Sequence, residues 1–300
     1  MSTTVAPAST ALPARQRGET LRLLVRSRTA VAALVVLLAF IVVAVFGKAL
    51  APYGYNGVDV ADRLQGPSVH HWFGTDELGR DVFSRVLLGA AVSLKVGAVA
   101  VGISLLVGVP CGLIAGFYRG LIDDVLMRVM DVLFAFPAIL MAIAVLAILG
   151  PGSTNAMVAI GIVYIPIFAR VTRAAVLPVR EEVYVRAARA SGASDLRLMR
   201  RHLLPNVLGP IIVQTSISFA FAILSEAALS FIGLGTQPPH PSWGLMLSDG
   251  TDFINQAWWM VVFPGAAIFV VVLAFNVLGD ALRDTLDPRQ RSLIRSARGA

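Results

Sequence analysis

Six apolar runs, separated by short polar stretches, leave this chain few ways to fold. They lie at roughly 30–50, 96–117, 133–148, 156–167, 206–232 and 258–278. A helix needs about 20 apolar residues to cross ~30 Å of hydrocarbon. The pattern therefore predicts an all-α polytopic membrane protein with six transmembrane helices. The fourth run is short by this measure and is expected to continue to Val171, with Arg170 at its end. Composition agrees, with 57% hydrophobic and 14% charged residues, against about 45–50% and 25% in soluble domains. Pro110, Pro137 and Pro166 fall inside runs and predict kinks. The one cysteine, Cys111, lies in an apolar run, so no intrachain disulfide forms.

The charges set an orientation. Twenty of the 25 Lys and Arg residues lie in the N-terminal stretch, the second-to-third and fourth-to-fifth loops, and the C-terminus. The positive-inside rule makes both termini and the 180–205 loop cytoplasmic. A polar stretch of about thirty residues precedes the first run without a small-residue cleavage site, and reads as an uncleaved tail. The resulting map is a cytoplasmic tail over 1–29, a first span over 30–51 and an extracytoplasmic segment over 52–86. A core over 87–282 and a cytoplasmic tail over 283–300 follow. The net charge of +7 does not indicate nucleic acid, because the arginines flank apolar runs rather than forming one basic face.

Between the fourth and fifth runs the chain reads VYVRAARASGASDLRLMRRHLLP over 183–205. A short helix is expected over 181–190, with Glu181 and Glu182 at its positive end and a Glu182–Arg186 pair along it. Gly192 suits the left-handed turn after it. Ser194 or Asp195 can cap a second helix, on which Leu196, Met199 and Leu203 share a face. Pro205 suits the first turn of the fifth span. Ala187 and Ala188 lack bulk, so a partner backbone can come close. By itself this is a helix, a Gly corner and a helix, which could dock a partner but reads more readily as an ordinary loop with a Gly turn.

The spacing at Ala187, Ala188, Gly192, Leu204 and Pro205 resembles the coupling loop of ABC-importer membrane subunits. It departs at Arg186, where that pattern has Glu, and at His202, where it has Ile. Four further stretches are similar to one subgroup, the second permease of dipeptide, oligopeptide, nickel and glutathione importers. They are Trp72-Phe-Gly-Thr-Asp-Glu-Leu-Gly-Arg-Asp81, Asp131-Val-Leu-Phe-Ala-Phe-Pro137, Phe231-Ile-Gly-Leu-Gly-Thr-Gln-Pro-Pro239 with Trp243-Gly244, and Gly279-Asp-Ala-Leu-Arg-Asp-Thr-Leu-Asp-Pro288. The Arg-His-x-Leu-Pro form around His202 also belongs to that subgroup. The resemblance implies a type I importer permease of MetI-like fold with a peripheral first span, in the bacterial inner membrane. It implies a second related permease, two ATP-binding subunits and an extracytoplasmic solute-binding protein. ATP and Mg would sit on the partners, and this chain would hold no cofactor and catalyse nothing. Arg186, Ala187, Ala188, Gly192, Ala193, Ser194, Asp195, Leu204 and Pro205 would form the ATPase-coupling surface. Short peptides are the first expected cargo, then glutathione, then nickel.

The remaining residues have readings of their own. Thr75 or Asp76 can cap the helix leading to the second span, and Trp243, Trp258 and Trp259 suit the outer interface. Glu226 lies about 12 Å inside the fifth span at ~1.5 Å per residue, where a lipid-facing carboxylate is costly. It is expected either to line a pathway or gate, or to hydrogen-bond between helices. Gln214, Ser216 and Ser218 offer the same choice. Asp123, Asp124, Arg128 and Asp131 suggest a charge network at the cytoplasmic interface. His70 and His71 have no carboxylate or Cys at ligand spacing, which leaves no metal site. Lys48 and Lys95 both fail the phosphate-loop pattern, so energy must come from a partner or an ion gradient. A gradient-driven carrier or channel using Glu226 is the alternative. An intramembrane enzyme would need a nucleophile and base at depth, and all four His lie outside the spans.

Overall fold

The computed structural model describes residues 27–286. Its helices are α1 (Arg28–Leu50), α2 (Val82–Tyr118), α3 (Gly120–Phe134), α4 (Ala138–Leu149) and α5 (Ser153–Val179). Then come α6 (Val183–Ala190), α7 (Asp195–Arg197), a π-helical turn (Leu198–Leu203), α8 (Leu204–Phe231), α9 (Trp243–Thr251) and α10 (Trp259–Leu286). The segment 52–81 holds one 3-10 turn, Val60–Asp62. The basic tails at 1–26 and 287–300 lie outside the described residues.

Helices α2 and α5 form the centre. Gly108, Gly112 and Gly116 recur every fourth residue on α2 and so line one face. A Cβ at 112 would stand 2.2 Å from the Ala169 carbonyl oxygen of α5. The two backbones approach as closely as glycine allows, which is how helices associate where lipid gives no hydrophobic drive. Ser104 donates across this seam to the Gly161 carbonyl at 2.8 Å. Helix α8 packs against both, and α10 against α8. Helix α1 stands at the edge, burying only Ala30, Ala33, Leu37 and Gly47.

Among the described residues, five helices are long and apolar enough to cross a membrane, or six if one bent pair counts as a span. That pair is α3 and α4, which meet at 89°. The run at 133–148 is therefore not one kinked helix. Pro137 is the residue before α4, where it lacks an N–H and turns Phe136 away from helix. Helix α4 has 12 residues, about 18 Å, which is short of a bilayer. The fourth span, by contrast, runs on past Val171 to Val179.

The tryptophans also differ from expectation. Trp243 is fully enclosed and its Nε1 donates to the Val86 carbonyl at 3.0 Å. Trp259 Nε1 donates to the Thr75 carbonyl at 3.0 Å. Of these three only Trp258 is exposed, as is Trp72 in the 52–81 segment. The polar N–H of a large ring finds a backbone acceptor inside as readily as at an interface. Trp243 thereby pins α9 onto α2, so the 232–258 stretch folds back over the bundle instead of hanging free.

The 183–205 loop lies at one end of the bundle, here the loop end. Segment 52–81 and α9 lie at the other, the far end. Helix α8 runs between them.

Candidate functional site

At the loop end, α6 starts at Val183, two residues later than expected. Glu182 is its N-cap and its carbonyl accepts from Val185 and Arg186. The Glu182–Arg186 side-chain pair is not formed among the described residues. Glu181 pairs instead with Arg180 at 3.1 Å and Arg119 at 3.8 Å. Arg180 also donates to the Phe117 carbonyl at 2.6 Å, tying the loop to the end of α2.

Gly192 has φ +83°. Its N–H bonds the Arg189 carbonyl and that of Ala193 bonds Ala188. This paired closure ends a helix with a left-handed residue, which costs glycine nothing. Val185, Leu198, Met199, Leu203 and Val207 bury themselves against Leu113, Phe117 and Val176. Leu196 is exposed, contrary to expectation. The Leu204 N–H bonds Met199, five residues back, and this π turn shifts the register so that Leu198 takes the inner place. The Ser194 side chain makes no capping bond, and the Asp195 carboxylate faces the Tyr118 hydroxyl. Arg186, Ala187, Gly192, Ser194, Asp195 and Pro205 are exposed together, while Ala188, Ala193 and Leu204 are half-buried on the apolar cluster. The loop end thus presents a rigid, weakly bulky surface anchored from behind.

Helix α3 is clamped to α5 beside it. Arg173 binds both oxygens of Asp123 at 2.5 and 2.6 Å. Arg170 reaches Asp131 at 2.7 Å and lies over the Phe134 ring.

At the far end, the helix cap is Asp81, not Thr75 or Asp76. Asp81 accepts from the Ser84 N–H at 2.7 Å and from His71 Nδ1 at 3.0 Å. Thr75 and Asp76 instead hold the segment itself. The Thr75 hydroxyl donates to the Asp62 carbonyl and accepts from the Gln65 N–H. Asp76 accepts from Arg80 and pairs with Arg85 at 3.5 Å. Arg85 in turn stands 3.8 Å from Asp249 of α9.

Glu226 is wholly enclosed. Its carboxylate accepts from Ser93 of α2 at 3.0 Å, Ser230 at 2.7 Å and Thr236 at 3.3 Å, and the Ser242 hydroxyl lies nearby. Gln214 donates within its own helix to Ser218 at 3.1 Å. The two polar residues are thus not brought together.

The sequence profile of a family described as "Binding-protein-dependent transport system inner membrane component" matches residues 108–292. The chain belongs to this family. A second profile, the N-terminal transmembrane domain of oligopeptide transport permease C, matches residues 16–67 of the permease. The permease is 48% identical over 274 residues to a dipeptide transport system permease protein of Alkalihalophilus pseudofirmus, covering 91% of this chain and 90% of the relative. It is 45% identical to a glutathione transport system permease protein of Pectobacterium atrosepticum, covering 90% of each. Its fold is similar to a chain of the inward-facing MetNI methionine ABC transporter, with a TM-score of 0.57 and 17% identity over 68% of this chain and 96% of that one. The permease is therefore a multi-pass protein of the inner membrane with a MetI-like fold.

Most of the surroundings of Glu226 were beyond sequence reasoning. Ser230 lies four residues on, one turn away, and periodicity could have found it. Ser93, Thr236 and Ser242 come from distant segments with no shared spacing.

Proposed function

We propose that this permease imports short peptides, working with a second related permease, two ATP-binding subunits and an extracytoplasmic solute-binding protein. ATP and Mg reside on the partner subunits, and this chain performs no hydrolysis. The loop end faces the cytoplasm, and the 180–205 surface docks on an ATP-binding subunit. The observation that carries the reading is the exposed Ala187–Gly192–Asp195 corner, held rigid by the Val185, Leu198 and Leu203 cluster behind it. A surface that transmits force must not yield, and this one is backed by packed side chains. Closure of the ATP-binding subunits would draw the loops together and favour one of two pathway states, so ATP acts through differential stabilisation. The names of the similar permeases favour peptides, then glutathione, as the cargo.

Uptake of labelled dipeptide, tripeptide and glutathione is measured in cells lacking this gene, restored with wild type or Gly192→Leu. Loss of one solute's uptake, rescued by wild type alone, is the expected result. A Cβ at 192 meets no atom within 4 Å, but the residue must adopt φ +83°, so the exchange strains the corner from outside the buried cluster. Full rescue by the variant would remove the coupling role.

A further inference from the structure

We propose that Glu226 is a latch that fastens the far side of the permease to α8, and that releasing it lets the complex hydrolyse ATP without the binding protein. The latch rests on geometry alone, and its consequence for hydrolysis rests on the importer reading.

The hydrogen bonds around Glu226 all run one way. The Ser230 hydroxyl accepts from the Thr236 N–H at 2.9 Å and donates to Glu226. The Thr236 hydroxyl accepts from Ser153 at 3.1 Å and donates to Glu226. Ser93 brings a third from α2. Each hydroxyl proton is thereby directed at one carboxylate, whose two oxygens hold about four acceptor positions. Among the described residues Glu226 makes no ion pair. Its hydrogen bonds are all to hydroxyls: Ser230 on its own helix, Ser93 of α2, and Thr236 of the 232–242 segment, which Ser153 at the start of α5 joins in turn.

The same helix begins at the opposite end. Helix α8 leads from the π turn of the loop to Glu226 without a break, over about 33 Å at ~1.5 Å per residue. A displacement of the loop therefore reaches the hydroxyls around Glu226 directly. While they hold, α8 cannot move relative to α2 and the 232–242 segment without breaking several buried bonds together.

Glu226→Gln keeps the size but turns one acceptor into a donor, which faces hydroxyl protons. The test uses the whole complex in lipid nanodiscs, as wild type, Glu226→Gln and Thr236→Val. Amide exchange over 233–242 is expected to rise about tenfold in Glu226→Gln, the effect of losing one charge-assisted bond. Exchange over 152–156 rises with it, because Ser153 and Gly152 bond to Thr236 and Leu234 of the released segment. Thr236→Val, which fits the same space, raises exchange in both stretches and serves if the Gln variant does not assemble. Glu226→Gln should also hydrolyse ATP without binding protein at close to the stimulated wild-type rate. Unchanged exchange in both variants overturns the latch, whatever the permease carries. Raised exchange with hydrolysis still dependent on binding protein overturns its link to hydrolysis. If no ATP-binding subunit accompanies the wild type, the importer reading fails and exchange alone decides the latch.

Discussion

Gly244 leaves no room for a methyl group. A Cβ there would stand 2.3 Å from the Ala227 carbonyl oxygen, one residue from Glu226. Both atoms belong to helix backbones, so neither can step aside. Gly244→Ala is expected to lower stability by about 1–3 kcal/mol, the range for overpacking a close-packed interior. Gly102 on α2 meets nothing within 4 Å, and Gly102→Ala should be neutral or stabilising by about 0.5–1 kcal/mol. Thermal unfolding of both variants in one detergent checks the contrast, and equal melting would refute the close approach at 244. At this scale the Gly192 turn was legible, because a left-handed residue after a helix needs only local chemistry. The enclosure of Glu226 was half legible. Its cost in lipid told that it must have partners, while their identity depends on how three remote segments fold over it.

Among the elements, α3 tests how much a clamp contributes. The Arg173–Asp123 contact is bidentate and its carboxylate is nearly buried, with 8% of that side chain exposed. The Arg170–Asp131 pair is open, at 41% and 56% exposed. Water and salt screen the second far more than the first. Double-mutant cycles on unfolding should give a coupling of about 1 kcal/mol for the inner pair and under about 0.5 for the outer. Raising the salt should erase only the outer one, and a reversed order would show that α3 is held otherwise. The bend after α3 was partly readable. Counting apolar residues merged Phe134 and Ala138 into one run, because hydropathy carries no angle. Pro137 held the missing information, and its power to break rather than kink depended on α3 having the charged pairs to lie against α5. Helix α9 went unseen for another reason. Its short stretch between prolines and glycines has no long apolar face, and it exists because Trp243 and Gly244 pack on α2 and α8.

Across the whole molecule, the two ends are held by different chemistry, and pH should separate them. At the far end burial, and then the neighbouring Asp76, push the Glu77 carboxyl above its ordinary 4.5. Burial likewise raises Asp249, against the pull of Arg85 and Arg80. Between the ordinary and raised values the folded chain holds protons that the unfolded chain has lost. Stability contributed by these groups therefore falls as pH rises through that window. Wild type minus Glu77→Gln, compared as melting temperature in steps upward from pH 4.5, should decline with rising pH. A flat difference would remove Glu77 from the far-end balance. The helical class, the membrane location and the order of the spans were readable from apolar blocks, since lipid permits few alternatives. The contacts between ends were not, because they join residues that no local period relates. One such link begins at the π turn. A π turn holds one residue more than the α-helical path it replaces, so the rod above it is mounted with slack. Drawing that residue out would screw α8 by about 100° and advance it by about 1.5 Å. A small tug on the loop would then arrive at the other side of the membrane as a rotation.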